Sequence, residues 1–123
     1  MSFIPLYENQ PIFSDIDAEL RQKGFIPHCF HDIRKHIISP LVVNNDPRVS
    51  LNQLLEADIV YVKDFTKPEN ISDEQLKYLA IISHICYKSF DLSMRCIAIL
   101  EERGALSKGS INRYPAMINL QNI

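Results

Sequence analysis

The sequence predicts an α/β fold in which a strand, a crossover helix and a second strand are followed by a third strand and by C-terminal helices. Three observations predict this order. Residues 3–30 pass from an extended pattern to a helical one and back within one short span. Residues 59–65 are the most strand-like window in the chain. Residues 72–103 carry a helical spacing of apolar side chains.

The first three elements are expected to form a βαβ unit. Phe3–Tyr7 is a short apolar run that ends where residues 8–11 add polar side chains and a proline. Residues 13–23 follow a helical spacing, with acidic side chains in the first turn and basic ones in the last, and Gly24 suits the left-handed position after a helix. Residues 25–30 return to β-branched and aromatic character. A right-handed crossover would make the two strands parallel in one sheet.

The middle of the chain predicts a long connection, a short helix and a strand. Residues 31–47 contain charges, an Asn-Asn-Asp run and two prolines, which indicate a connection. Ser50-Leu51-Asn52-Gln53 matches the S-x-x-Q capping box and predicts a short helix through Ala57. The third strand is expected over residues 59–65.

The C-terminal half predicts two helices. A second capping box, Ser72–Gln75, precedes a long periodic segment that we expect to be mostly buried. A second helix is expected over residues 92–103, and Gly104 would end it. We therefore expect one domain over residues 1–104 and a partly frayed tail over residues 105–123.

The composition favours a soluble globular protein. The chain has 123 residues, of which 46% are apolar and 23% charged, as in one ordinary domain. Its net charge of −2 gives no electrostatic case for nucleic acid or an anionic membrane as a partner. The sequence contains neither an apolar run long enough to span a membrane nor a secretory leader, and its three cysteines do not suggest a disulfide framework. These features predict a cytoplasmic protein.

The glycines do not encode a cofactor loop. Gly24, Gly104 and Gly109 are the three glycines of the chain, and none of them forms the G-x-G pattern. A phosphate or dinucleotide loop needs glycines where backbone amides approach the ligand closely. We therefore assign no cofactor-binding residues in this chain.

Metal-ligating residue types cluster at His28, Cys29, His31 and His36. On a strand, His28 and Cys29 would point to opposite faces, and no second ligand pair follows at a fixed spacing. We therefore favour polar residues at a strand end over a zinc site, and we assign no metal ligands. Cysteine catalysis by Cys29 with His31, or by Cys86 with His84, is disfavoured because residues two apart are poorly placed for proton transfer.

Three stretches carry a family resemblance. They are LYENQPIFSDIDAELRQKGF (residues 6–25), QLLEADIVYVKDF (residues 53–65) and LAIISHICYKSFDLSMR (residues 79–95). Together they resemble the C-terminal portion of FkbM-type methyltransferases, over roughly residues 3–100. The resemblance implies a parent family that uses S-adenosylmethionine and has a Rossmann-like fold.

The resemblance also implies a strand order. By this likeness residues 3–7 would be the fifth strand of the fold, residues 25–30 the sixth and residues 59–65 the seventh, which runs antiparallel between the other two. The expected fold class is therefore a partial Rossmann-like methyltransferase sheet with C-terminal helices. Its three strands would be a parallel pair plus one antiparallel strand.

The site residues implied by the resemblance are Tyr7, Glu8 and Gln10, which would lie at the sheet edge and face the methyl acceptor. Glu8 has support of its own, because ligands of open α/β sheets bind beyond the carboxyl ends of parallel strands. In the family the cofactor is held by a glycine-rich turn and an acidic residue in the first half of the sheet. Both are missing from these residues, so the resemblance implies substrate-side residues and no cofactor ligands.

The expected function is the acceptor-side part of a truncated FkbM-like methyltransferase, inactive alone and joined to an N-terminal half that binds S-adenosylmethionine. Met1 stands immediately before the expected first strand, which suggests a truncated reading frame, a gene remnant or one piece of a split protein. An alternative is a small α/β interaction module that self-associates through an exposed sheet edge. A non-functional gene remnant is a third possibility.

Overall fold

The computed structural model of the protein describes residues 1–118, which form four α-helices and two β-strands. The chain divides into two compact units, Met1–Lys63 and Asp64–Ile123, here called the N-terminal unit and the C-terminal unit. In chain order the elements are α1 (Phe13–Gln22), β1 (Phe25–His36), β2 (Gln53–Lys63), a 3-10 turn (Pro68–Asn70), α2 (Asp73–Ile85), α3 (Phe90–Glu102), α4 (Ser110–Arg113) and a second 3-10 turn (Tyr114–Met117). None of the helices within residues 1–118 is both long and apolar enough to cross a membrane.

The N-terminal unit contains one sheet, in which β1 and β2 pair antiparallel. The pairing begins at Phe25 with Lys63 and ends at His36 with Gln53. Three register shifts interrupt it, the first of them directly after Pro27. A proline has no N–H to donate to the ladder, so an irregularity at this point costs the sheet little pairing.

The predicted partial Rossmann-like sheet, with three strands and a parallel pair, is wrong. The described residues contain two strands, and these run antiparallel. Residues 3–7 form bends rather than a strand, because Pro5 has no backbone N–H and the N–H of Leu6 donates to the side chain of Gln10. α1 therefore connects a bent segment to β1 and is not a crossover between parallel strands.

The first residues of the chain lie along the other edge of β2. The N–H of Phe3 donates to the carbonyl of Leu55 at 2.9 Å, and Met1 and Ala57 exchange two hydrogen bonds of 2.7 and 2.8 Å. The bridge formed by these bonds is antiparallel. β2 therefore lies between β1 and the first three residues, and it runs antiparallel to both.

The predicted first helix is confirmed as α1. The Asp15 carboxylate accepts a hydrogen bond from the N–H of Ile12 at 3.0 Å, and Gly24 follows the helix with a φ of 85°. The hydroxyl of Tyr61 donates to Oδ1 of Asp17 at 2.6 Å and ties α1 to β2.

This hydrogen bond perturbs both of its partners. Burial, followed by the bond to Asp17, raises the pKa of Tyr61 to about 12. The hydrogen bonds donated by Tyr61 and Arg21 lower the pKa of Asp17 below its ordinary value. The pair is therefore most stable with a neutral phenol and an ionised carboxylate.

The connection predicted over residues 31–47 lies further along the chain, because β1 continues to His36 and β2 begins at Gln53. The connection consequently comprises residues 37–52. The short helix predicted from Ser50 through Ala57 is wrong, since residues 53–57 belong to β2 and pair with β1.

The second predicted capping box is confirmed at the start of α2. Oγ of Ser72 accepts from the N–H of Gln75 at 3.2 Å, and Oε1 of Gln75 accepts from the N–H of Ser72 at 3.0 Å. Ser93 of α3 donates its hydroxyl to the carbonyl of Ala80 at 2.7 Å, which links α3 to α2. Gly104 follows α3 with a φ of 76°, as predicted for a helix end.

The C-terminal unit has an apolar core formed mainly by α2 and α3. Its buried apolar side chains are Ile71, Leu76, Leu92, Cys96, Ile99, Leu100 and Tyr114. Arg103 reinforces this unit by donating to the carbonyls of Ile71 at 2.8 Å and Pro68 at 2.5 Å, and it pairs with Asp73 at 3.0 Å.

Residues after α3 contain regular structure where the sequence predicted none. α4 and the second 3-10 turn occupy residues 110–117. The carboxylate of Glu101 holds the start of α4 by accepting hydrogen bonds from the N–H groups of Gly109 at 2.5 Å and Ile111 at 3.1 Å. Residues 119–123 of the predicted tail lie outside the described part of the chain, and the domain boundary at residue 104 stays a prediction.

Candidate functional site

The predicted substrate-side residues lie on one surface loop, residues 4–12, here called the N-terminal loop. Its two ends meet, since the rings of Phe3 and Phe13 are 5.3 Å apart and the N–H of Phe13 donates to the carbonyl of Ser2 at 2.7 Å. A short surface loop whose ends are in contact is an Ω-loop, a form that frequently carries function.

The side chain of Gln10 cross-links the N-terminal loop by hydrogen bonds. Its Oε1 accepts from the N–H of Leu6 at 2.6 Å, and its Nε2 donates to Oγ of Ser2 at 3.0 Å. Its own N–H donates to the carbonyl of Tyr7 at 3.3 Å, which closes a turn. Both polar atoms of its side-chain amide are thus engaged, one by Leu6 of the loop and the other by Ser2 just before it, and the expected contact of Gln10 with a substrate stays a prediction.

Tyr7 and Glu8 are the exposed residues of the same turn. The side chain of Tyr7 is 64% exposed, and Glu8 is also exposed. Asn9 completes the turn with a φ of 61°, a conformation that asparagine tolerates better than most residues. The turn thus presents a phenol and a carboxylate side by side, and these groups can together donate and accept hydrogen bonds to a polar molecule.

The glycines do not form a cradle for S-adenosylmethionine. Gly24 and Gly104 each follow a helix with positive φ, where they end it. Gly109 precedes the four-residue α4, and its N–H is already bonded to Glu101. A donor loop needs free amides between a strand and a helix, and these three glycines do not provide one.

The histidine and cysteine positions do not converge. Among residues 1–118 no three His, Cys, Asp or Glu side chains lie close enough to hold a metal ion. His31 and His36 are exposed on β1. Cys96 is buried, and this burial raises the pKa of its thiol to about 11, which makes it a poor nucleophile at neutral pH.

His84 lies in the C-terminal unit and is engaged in a hydrogen bond. Its Nδ1 lies 2.8 Å from the hydroxyl of Tyr114, and its ring is 5.2 Å from that of Phe90. Cys86, directly after α2 in the segment that the sequence predicts to be mostly buried, is exposed.

A polar cluster that the sequence did not predict covers part of the sheet. Arg34 of β1 pairs with Asp32 at 2.7 Å, Glu56 at 2.8 Å and Asp58 at 3.3 Å. Hydrogen bonding to Glu56, then to Asp58, raises the pKa of Arg34 further above its ordinary value. The cluster depends on the pairing register of β1 and β2, which brings Glu56 and Asp58 opposite residues 32–34. Because the guanidinium of Arg34 already bonds to three carboxylates, few of its N–H groups remain to bind a ligand.

The C-terminal unit carries an apolar groove of about 370 Å³ between α2, α3 and the residues that follow. Its apolar lining includes Ala80, Ile81, Ile85, Ile97, Leu100, Leu106 and Met117. Lys77 also lines the groove. Such a groove suits the apolar side of a helix better than a polar metabolite.

Comparisons with protein-family models, with curated proteins and with solved structures give no match for this chain.

Proposed function

We propose that this chain is the acceptor-side segment of an FkbM-like methyltransferase and that it acts together with a separate part that binds S-adenosylmethionine. The single observation that supports this proposal most is the position of β2. It runs antiparallel to both of its neighbours, with β1 on one edge and Met1–Phe3 on the other. The family resemblance implies a strand that runs antiparallel to both of its neighbours, although the described residues do not form the three-stranded sheet expected from it.

The sparse core of the N-terminal unit supports the same proposal. Its buried apolar residues are Ala57 and Val62. A two-stranded sheet is marginally stable in water unless a further layer or strand covers it. A donor-binding part that packs on this unit would provide that cover.

The proposal gives the three loop residues different roles. Tyr7 and Glu8, which are exposed, would contact the methyl acceptor and orient its nucleophile. Gln10 would act as a positioning residue, because its amide holds the loop that carries the other two. Orientation of the acceptor is a large part of catalysis in a transfer reaction. The partner, not this chain, would hold the donor.

The test is reconstitution with the separately purified donor-binding half of an FkbM-type methyltransferase whose acceptor is established. We expect calorimetry to detect no binding of S-adenosylmethionine by this chain alone. We expect the mixture to form a complex and to transfer the methyl group to that acceptor. Tight stoichiometric binding of S-adenosylmethionine by the chain alone, or no complex in the mixture, would contradict the proposal.

Matched variants separate the acceptor role from complex formation. Tyr7→Phe and Glu8→Gln should leave the complex intact and lower methyl transfer at least about tenfold. Glu69→Gln, which changes an exposed acid of the C-terminal unit, should leave both complex formation and methyl transfer unchanged. Equal effects of all three substitutions would remove the acceptor role from the loop.

The reducing cytoplasm is the proposed compartment of this complex. The thiols of Cys29, Cys86 and Cys96 are all free, as they would be in that environment.

A second candidate function is that of a protein-interaction module without catalysis. The specific observation that favours it is the number of exposed large apolar side chains in both units, which include Leu6, Phe30, Val42, Ile85 and Met117. Large exposed apolar patches mark interaction surfaces. Under this alternative the chain would form a stable complex in cells and the reconstituted mixture would show no methyl transfer.

A further inference from the structure

One side of α2 is apolar and exposed. Tyr78, Ile81, Ile82 and Ile85, here called the α2 stripe, follow the spacing i, i+3, i+4 and i+7. Their exposed fractions range from 48% for Ile82 to 69% for Ile85. This spacing places the four side chains on one face of the helix, as in the seam between paired helices.

The stripe is not the side of α2 that forms the core. Leu76 and Ser83 are the buried residues of this helix, and neither belongs to the stripe. Ser93 of α3 meets α2 at the carbonyl of Ala80, also outside the stripe. Within residues 1–118, α2 therefore covers the core with one side and leaves four large apolar side chains exposed on its second side.

The stripe continues into the apolar groove of the C-terminal unit. Ile81 and Ile85 belong to the stripe and also line the groove. Met117, 76% exposed, lines the groove as well. A helix laid along the stripe would therefore cover both surfaces at once.

We propose that the α2 stripe binds the α2 stripe of a second copy of this chain, with the two helices antiparallel and centred between Ile81 and Ile82. The charges at the helix ends decide the direction. Glu74 lies in the first turn, one helical turn before Tyr78, and Lys88 follows the last turn. An antiparallel pair brings Glu74 of each copy towards Lys88 of the other, whereas a parallel pair would bring like charges together.

A second copy suits this surface better than an unrelated helix. In a twofold antiparallel pair centred on the stripe, Tyr78 would face Ile85 of the other copy and Ile81 would face Ile82, so every apolar side chain of the stripe meets an apolar one. Antiparallel helix dipoles also favour the pairing. Four residues are far fewer than the roughly 20–30 per side of a standard interface, so we expect a dissociation constant of about micromolar order.

Sedimentation of the full chain from about 1 to about 100 μM tests the proposal, since this range brackets micromolar affinity. We expect reversible dimers at the upper end. Ile82→Asp and Ile85→Asp change exposed side chains, so circular dichroism should remain native while the dissociation constant rises about tenfold or more. Leu51→Asp, an equally exposed apolar residue of the N-terminal unit, is the control and should leave the dimer unchanged.

A charge exchange tests the antiparallel direction. Glu74→Lys and Lys88→Glu should each raise the dissociation constant about fivefold, since every substitution acts twice across the twofold axis, and the double variant should restore it. A chain that stays monomeric throughout, or dimers that lose affinity equally with Leu51→Asp, would overturn the proposal. Single exchanges without effect would overturn the antiparallel arrangement. The outcome is independent of the methyltransferase proposal, whose test reads methyl transfer and variants of Tyr7 and Glu8 in the N-terminal unit.

Discussion

The N-terminal and C-terminal units are nearly equal in length, yet they bury apolar side chains to different extents. In the N-terminal unit Ala57 and Val62 are the buried apolar residues, whereas in the C-terminal unit the buried set includes three leucines and two isoleucines. Chain length therefore does not determine whether a unit has a core of its own.

The type of secondary structure explains the difference. α2 and α3 satisfy their backbone hydrogen bonds internally and can bury an apolar side against each other. β1 and β2 have one partner each along most of their length, and α1 is a short helix of ten residues. Two strands and one short helix offer little interior. The N-terminal unit therefore has the smaller apolar core and gains more from a partner that covers it.

The largest expected effect concerns the core of the C-terminal unit. Leu100→Ala should lower the free energy of unfolding by about 2–5 kcal/mol, because it leaves a cavity at a fully buried position. Leu51→Ala, at an exposed position of the N-terminal unit, should change it by less than about 0.5 kcal/mol. Urea denaturation followed by helical circular dichroism measures both. Equal losses would show that the difference in burial has no energetic counterpart.

The next effect concerns the link made by Arg103. Arg103→Met should cost about 1–3 kcal/mol in the same unfolding experiment, because the carbonyls of Ile71 and Pro68 lose their donor. Arg95→Met, at an exposed position on α3, is the control and should have a small effect. If the two variants are equally stable, the hydrogen bonds of Arg103 do not hold the C-terminal unit together.

A smaller effect is expected for the tie between α1 and β2. Tyr61→Phe should cost about 1 kcal/mol at neutral pH, the usual net contribution of one hydrogen bond. The loss should be confined to the N-terminal unit, so hydrogen exchange of α1 and β2 amides should accelerate while that of α3 amides stays unchanged. Acceleration in both units would contradict their separate stabilities.

The same pair predicts a pH dependence. Because the pKa of Tyr61 is raised to about 12, this residue stabilises the fold at pH values below the ordinary tyrosine pKa. The stabilisation is lost as the pH rises through 12. Because the pKa of Asp17 is lowered, this residue stabilises the fold at pH values above the ordinary carboxyl pKa. The stabilisation is lost as the pH falls through the pKa that Asp17 has in the folded chain. The stability difference between wild type and Tyr61→Phe should therefore be constant at neutral pH and shrink at both extremes. Thermal unfolding from acidic to alkaline pH measures it.

The smallest effect is expected in the N-terminal loop. Gln10→Ala should cost less than about 1 kcal/mol, because the two hydrogen bonds it removes lie near the surface and water can replace them. It should nevertheless speed the exchange of the Leu6 amide, which Gln10 protects. Glu8→Ala should change neither the free energy of unfolding nor the exchange rate of the Leu6 amide. Protection of Leu6 that survives the loss of Gln10 would remove the positioning role.

The candidate site was only partly predictable from the sequence. The sequence brought Tyr7, Glu8 and Gln10 together because they lie within four residues of one another. It placed them at the end of a strand, whereas the structure places them on an Ω-loop. The side-chain amide of Gln10 reaches back to Leu6 and Ser2, and no local pattern encodes such contacts.

The two S-x-x-Q motifs show the limit of local signals. Ser72–Gln75 forms its capping box, and the residues after it keep a helical spacing of apolar side chains. Ser50–Gln53 has the same letters, yet the residues after it pair with β1. A capping box is worth only a small free energy, and a complete strand ladder outweighs it.

The sequence by itself determined α1, the strand-forming character of residues 25–30 and 59–63, the two long helices and the glycines that follow helices. These depend on neighbours within a few residues, which the sequence displays directly. Only the tertiary structure decided that β1 and β2 pair antiparallel, that the first three residues lie along β2, and that one side of α2 stays exposed. Those outcomes depend on which distant backbone groups and apolar surfaces meet, and that choice is a property of the whole chain.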